Sequence, residues 1–258
     1  MTMDALDELS GKLHGLDGQV LEVERVKTLR ELIDEHTRRP DRVTDVGRLR
    51  SKKNVVLRLT LSSGEKLIGK LFVTDRFELE HGLLLSCHTA GLPVPEVYGA
   101  RNGVILMKYI SGEPLVDVLN RTLENRYVAM LAQWYYDFHK ITGMVKGDSR
   151  LRNFIVAGDI LWGLDFEEAH EGPWILDISG VAASILDTNP IFAPEKQKMV
   201  WLLLDEYLDL MGQPRTETTE ERFQSVIADA LAETAVWRSD KRIKTLSERV
   251  RYEGIPIN

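Results

Sequence analysis

Between Asn54 and Val73 the chain reads NVVLRLTLSSGEKLIGKLFV. Two runs rich in Val, Ile and Leu flank the polar turn SSGE. Such runs read as antiparallel strands joined in a hairpin, so this part of the chain is committed to a sheet. The weakly periodic RVTDVGRLR before it and GVILMKYI after it read as further strands. RFELEHGLLLSCHTAG reads as a helix stopping at Gly91, and LPVPEVYG as an extended lead-in to the next strand. Upstream, Val23, Val26, Leu29, Leu32 and Ile33 recur at helical spacing. Arg38 and Arg39 suit the end of that helix, and Pro40 terminates it.

From Val116 the pattern changes. EKQKMVWLLLDEYLDLMG is a long amphipathic helix ended by Gly212 and Pro214, and ETTEERFQSVIADALAETAVW is another with an acidic first turn. The expected class is α+β, a sheet-rich first part with one inserted helix joining a helical second part near residue 110. Clefts between such lobes are favoured ligand sites.

Composition excludes several functions. With 258 residues and 43% apolar content the chain builds a real core, as one domain or two packed lobes. The net charge of −7 argues against nucleic-acid binding by bulk charge. A single cysteine, Cys87, permits no internal disulfide and no multi-cysteine zinc site; it reads as a buried helix residue. No run is long and apolar enough for a membrane span, and MTMDALDELSGK lacks the layout of a signal peptide. A soluble cytoplasmic protein, monomer or weak dimer, is expected, with no membrane or nucleic-acid partner.

The chemistry concentrates in VKGDSRLRNFIV and LDFEEA. Asp148 and Asn153 lie on a loop before a short strand, and Asp165 follows the next strand. Magnesium takes a few hard oxygens of this kind together with waters and phosphates. One acid of such a set can instead accept a proton from a nucleophilic hydroxyl. That inventory suits phosphoryl transfer, whereas the spacing alone is also that of ordinary turn chemistry. Lys70 lies in a strand flanked by apolar residues, and Glu80 follows on a helix; Glu78 competes to be the partner of Lys70. Asp177 opens a later helix.

In this order the phrases resemble the protein-kinase-like superfamily, and within it the aminoglycoside phosphotransferase and choline kinase branch. KGDSRLRNFIV is similar to a His-Gly-Asp loop ending in Asn, and LDFEEA to a metal-binding Asp phrase. AGLPVPEVYG and LMKYISGEPL are similar to the link after the N-lobe helix and to the hinge. The resemblance covers roughly residues 43 to 212. It implies a two-lobed fold: an N-terminal helical extension over 1–42, an antiparallel-sheet N-lobe with one main helix over 43–110, and a helical C-lobe over 111–258. It also implies ATP- and magnesium-dependent transfer of the γ-phosphate to a small-molecule hydroxyl, on an aminoglycoside, amino alcohol or sugar.

By the same resemblance Asp148 is the base or orients the acceptor hydroxyl, and Asn153 and Asp165 hold magnesium, with Glu167 as a further ligand. Lys70 contacts the α/β-phosphates with Glu80 as its partner. The backbone of Lys108 and Ile110 meets the adenine edge behind Met107. Asp177 braces the catalytic loop, and His139 is structural. Arg150 and Arg152 either neutralise the transferring phosphoryl group or are solvated. Gly47 is the one glycine of the phosphate-covering loop DVGRLRSKKN, in which Arg48, Arg50, Lys52 and Lys53 either contact phosphates by side chain or form a solvated basic hairpin. Lys146 stands in place of the loop histidine and needs a carboxylate or solvent nearby. Only eleven residues separate Asp165 from Asp177, too few for a phosphorylated activation segment or a peptide platform. The alternatives are a compact protein kinase resembling the one that serves the tRNA threonylcarbamoyl complex, a lipid A or Kdo-type glycan kinase, or a nucleotide-binding pseudokinase docking partners through residues 20 to 39.

Overall fold

A computed structural model describes residues 5–6, 21–38, 41–51 and 53–256. Arg39, Pro40, Lys52, the last two residues and all but residues 5–6 of the first twenty lie outside the described residues. The chain divides into two compact units, Met1–Thr89 with Val94–Ser111, and Ala90–Pro93 with Gly112–Asn258.

The first unit holds α1 (Val23–Thr37), β1 (Val43–Leu49), β2 (Val55–Leu61), β3 (Lys66–Leu71), α2 (Phe77–Thr89), β4 (Val97–Arg101) and β5 (Val104–Lys108). The strands form one antiparallel sheet in the order β1-β2-β3-β5-β4. Alternation along β2 buries Val55, Leu57, Leu59 and Leu61 and leaves the residues between them half-buried. The buried set joins Leu67, Leu71, Val104 and Leu106 in one core with Leu29, Leu32 and Ile33 of α1. Two glycines let the helix sit close: a Cβ on Gly69 would lie 2.8 Å from Leu29 Cδ1, and one on Gly99 2.8 Å from Leu32 Cδ2. Val23, expected on the apolar face of α1, is 58% exposed because it opens the helix beyond the sheet-facing stripe. The end of the extended lead-in, from Val97, proves to be the start of the strand β4. Asn102 and Gly103, at φ of 50° and 72°, make the tight turn that Asn-Gly favours between β4 and β5.

The second unit holds β6 (Glu113–Pro114), α3 (Leu115–Thr122), α4 (Arg126–Thr142), a 3₁₀ turn at Leu151–Asn153, β7 (Phe154–Ala157), β8 (Ile160–Gly163), α5 (Ile175–Leu186), α6 (Pro194–Met211), α7 (Glu217–Arg238) and α8 (Lys241–Glu253). Helix α5 is apolar almost all round and is buried accordingly, packed by α6 and α7. The aromatic face of α4 meets the β7–β8 hairpin and the segment after it, with Trp134 edge-on to Phe154 at 5.0 Å and Phe138 stacked on Phe166 at 5.8 Å. Helix α8 pairs with α7. Among the described residues no helix is long and apolar enough to cross a membrane.

Candidate functional site

In the first unit, β3 alternation puts Lys70 on the sheet face opposite the α1 core, and α2 delivers Glu80 to it. Lys70 Nζ lies 2.6 Å from Glu80 Oε2, with the residues only 5% and 2% exposed. The Phe72 ring lies 4.9 Å from the same ammonium. Glu78, the competitor, is exposed. Two charges buried this far from water persist only as a pair. Met107 and Ile110 are buried, each 7% exposed. The backbone N–H of Lys108 donates to the Glu96 carbonyl at 2.9 Å. Gly47 lies inside β1 opposite Arg58, not in the turn. A Cβ there would lie 3.1 Å from the Arg58 guanidinium, the movable end of a long side chain. Arg50 and Lys53 flank the β1–β2 connection and are exposed; Arg48 lies in β1.

In the second unit, the segment from Val145 to Asn153 is held from three sides. Val145 exchanges backbone hydrogen bonds with His170 at 2.9 and 3.1 Å. Gly147 takes a φ of 76°, and a Cβ would come within 2.4 Å of the Glu168 carbonyl, so only glycine fits. Asp177, 1% exposed, does not cap its own helix. It accepts from the Lys146 N–H at 2.5 Å, the Gly147 N–H at 3.1 Å and the Ser149 hydroxyl, and it pairs with His139 Nε2 at 2.9 Å. The other ring nitrogen of His139 meets the Tyr207 hydroxyl at 2.7 Å.

On this brace Asp148 is presented with its side chain 26% exposed. Its carboxylate accepts from Asn153 Nδ2 at 3.0 Å, Arg150 Nε at 2.9 Å and Arg152 Nη2 at 3.3 Å. Arg150 and Arg152, expected either at the phosphoryl group or in solvent, thus both engage Asp148. Burial pushes the Asp148 carboxyl up, but the Asn153 hydrogen bond and the charges of Lys146, Arg152 and Arg150 outweigh it and hold it below the usual range.

The β7–β8 hairpin brings the remaining oxygens together. Phe154 pairs with Gly163, so Asn153 and Leu164 leave the ladder at the same end, tied by Leu164 N to Asn153 O at 2.8 Å. Asp165 follows at a φ of 61°, and oxygens of Asp165 and Glu167 lie within 4.8 Å of each other. Asn153 uses its amide N–H groups on Asp148, which leaves its Oδ1 to ligate. Two carboxylates and an amide oxygen are hard donors of the kind magnesium takes. Lys146, expected to need a carboxylate or solvent, is wholly buried. Its Nζ donates to the Asp165 carbonyl at 2.7 Å, between the rings of Phe166 at 5.4 Å and Phe154 at 5.9 Å. Ser149 is a site residue given no role by the sequence; its spacing from Asp177 carries no local signal.

No family model matches the chain, and no curated protein does. Solved structures match. Amicoumacin kinase hAmiN, in complex with AMP-PNP, Ca2+ and Ami, is similar with a TM-score of 0.62 at 12% identity over 83% of this chain and 90% of that one. The macrolide 2′-phosphotransferase MphH from Brachybacterium faecium gives 0.60 at 12% identity over 90% and 99%. A choline/ethanolamine kinase family protein from Mesorhizobium loti gives 0.54 at 13% identity over 81% and 86%. The chain has the two-lobed, α+β protein-kinase-like fold of these proteins.

Proposed function

We propose that the chain is a phosphotransferase that moves the γ-phosphate of ATP, with magnesium, to a hydroxyl of a small molecule. The observation that carries this reading is Asp148: an ionised carboxylate, partly exposed, fixed by Asn153 and braced from below through Asp177. So acidic a group does not strip a neutral hydroxyl in the ground state. It accepts the O–H hydrogen bond, aligns the oxygen, and takes the proton as the O–P bond forms and the bond to the leaving ADP breaks. Asn153, Asp165 and Glu167 would hold magnesium, which when bound offsets charge on the phosphate oxygens. Residues 43–110 would bind the nucleotide, with Lys70, held by Glu80, toward its phosphates and the backbone near Met107 and Ile110 toward its base. Residues 111–258 would supply the acceptor side. Between Asp165 and Asp177 the chain is a short turn and a bridge to Val145, with no extended platform for a peptide; this supports a small acceptor.

The test is ADP release with a panel of aminoglycosides, amino alcohols, sugars and a generic protein substrate. Asp148→Asn is expected to lower acceptor-dependent turnover at least roughly 100-fold with nucleotide affinity kept. Equal turnover in both proteins, or no thermal shift with millimolar ATP and magnesium, overturns the reading.

A further inference from the structure

The Asp148 carboxylate is held from two sides by guanidinium groups. Arg150 Nε donates to Oδ1 at 2.9 Å, and Arg152 Nη2 to Oδ2 at 3.3 Å. Arg152 lies in the 3₁₀ turn Leu151–Asn153 and Arg150 directly before it, so the loop that presents the acid presents two cations with it. Neither arginine is used up by this contact. A guanidinium carries several N–H donors in a rigid fork, and among the described residues the Arg150 side chain spends only Nε and that of Arg152 only Nη2. Both Nη atoms of Arg150 keep contact with solvent, and the two side chains are 22% and 48% exposed.

Charge in this corner does not cancel. Two guanidiniums face one carboxylate, and a third cation, Lys146, is buried close enough to act on it. Two further carboxylates whose charge reaches this corner are withdrawn from it. Asp177 is 1% exposed and filled by the donors of the loop and His139. Asp187 is 5% exposed and paired with Arg238 Nη2 at 3.1 Å.

We infer that Arg150 and Arg152 select an acceptor carrying an anionic group, a phosphate or a carboxylate, a few bonds from the hydroxyl that Asp148 receives. The inference rests on the phosphotransferase reading and narrows its acceptor. Asp148 marks where that hydroxyl lies, and donors bonded to both of its oxygens border the same place. The nucleotide's phosphates are served elsewhere, by the metal oxygens of Asn153, Asp165 and Glu167. A guanidinium fork takes phosphate or carboxylate oxygens in pairs. A protonated amine brought to Asp148 meets two like charges within hydrogen-bond distance of the carboxylate, which disfavours it. The net charge of −7 on the whole chain is thus no guide to this spot.

The test is saturation-transfer NMR titration of the full chain with magnesium and AMP-PNP present, so that no probe anion binds in place of the γ-phosphate. The probes form matched series: glycerol 3-phosphate and glycerate against glycerol, glucose 6-phosphate and glucuronate against glucose, with ethanolamine and glucosamine as the cationic arm. At least one anionic probe is expected to bind roughly 10-fold or more tightly than its neutral counterpart; the phosphate and carboxylate arms then tell which anion is meant. Arg150→Gln and Arg152→Gln should each remove most of that preference, and Arg152→Lys should restore part of it, with AMP-PNP affinity kept. A role in holding the loop alone would weaken anionic and neutral probes alike. The inference is overturned if no anionic probe exceeds its neutral counterpart, if a cationic probe binds best, or if both Gln variants keep the wild-type preference. Failure of the phosphotransferase reading shows separately, as no AMP-PNP binding by the wild type, and the anion preference is then read without nucleotide.

Discussion

Lys146 donates its buried ammonium to the carbonyl of Asp165 at 2.7 Å, and Asp165 sits in the left-handed region, which among non-glycine residues Asp and Asn adopt most readily. The bond ties the loop carrying Asp148 to the turn carrying the Asp165–Glu167 carboxylates. Lys146→Met keeps the volume and removes the donor. A charged hydrogen bond is worth about 1.5–3 kcal/mol, so Mn2+ affinity, read by electron paramagnetic resonance, is expected to fall roughly 10-fold or more. Lys146→His should recover part of it. Unchanged Mn2+ binding in Lys146→Met would show that the bond positions nothing.

The Lys70–Glu80 pair allows fold and function to be separated. Lys70→Ala or Glu80→Ala leaves one charge buried alone and is expected to cost about 3–5 kcal/mol in urea unfolding. Replacing both, as Lys70→Met with Glu80→Leu, should return stability to within about 1 kcal/mol of wild type while MgATP binding stays lost. If the double variant binds nucleotide as the wild type does, the pair has only a structural role.

Close seating of α1 on the sheet depends on glycine at position 69. Gly69→Ala drives a methyl group to 2.8 Å from Leu29 Cδ1 and is expected to destabilise by about 1–3 kcal/mol. Leu29→Ala alone should cost about 2–5 kcal/mol. Together they should cost less than their sum, since the smaller partner makes room. Simple additivity would mean that helix and strand do not press on each other there.

Lys196 gives stability a defined pH dependence. Burial lowers its pKa from 10.5 to about 8 in spite of Asp187. Between these values the unfolded chain holds the proton and the folded chain releases it, so stability rises with pH across that window. Below pH 8 both states are protonated and the cost of the buried charge is complete. The slope from this group is at most about 1.4 kcal/mol per pH unit. Urea midpoints from pH 7.5 to 10.5 are expected to rise in the wild type relative to Lys196→Met. Parallel curves for the two proteins would refute the assignment.

Much of the local structure is legible in the residue pattern. The two β-runs around SSGE, the helix ending at Gly91 and the helices either side of Pro214 all lie where alternation and punctuation place them. The hairpin that joins Asn153 to Asp165 follows from spacing, since a short two-stranded ladder returns its ends to one place. β4 was less legible, although Asn102-Gly103 is a local turn signal, because the prolines of LPVPEVYG mask the strand that follows them.

What the sequence determined is everything governed by near neighbours: periods of two and of 3.6, turns that need glycine, and the order of the chemical groups. The tertiary structure decided which of several similar charges are buried and what each one meets. Lys196 reads as one more solvated helix lysine in EKQKMVW, yet its partner Asn120 is 76 residues away. Asp187 reads as an ordinary helix end, yet Arg238, 51 residues on, takes one of its oxygens and leaves the other. Such pairings follow from desolvation by elements distant in the chain, which no window of adjacent residues encodes.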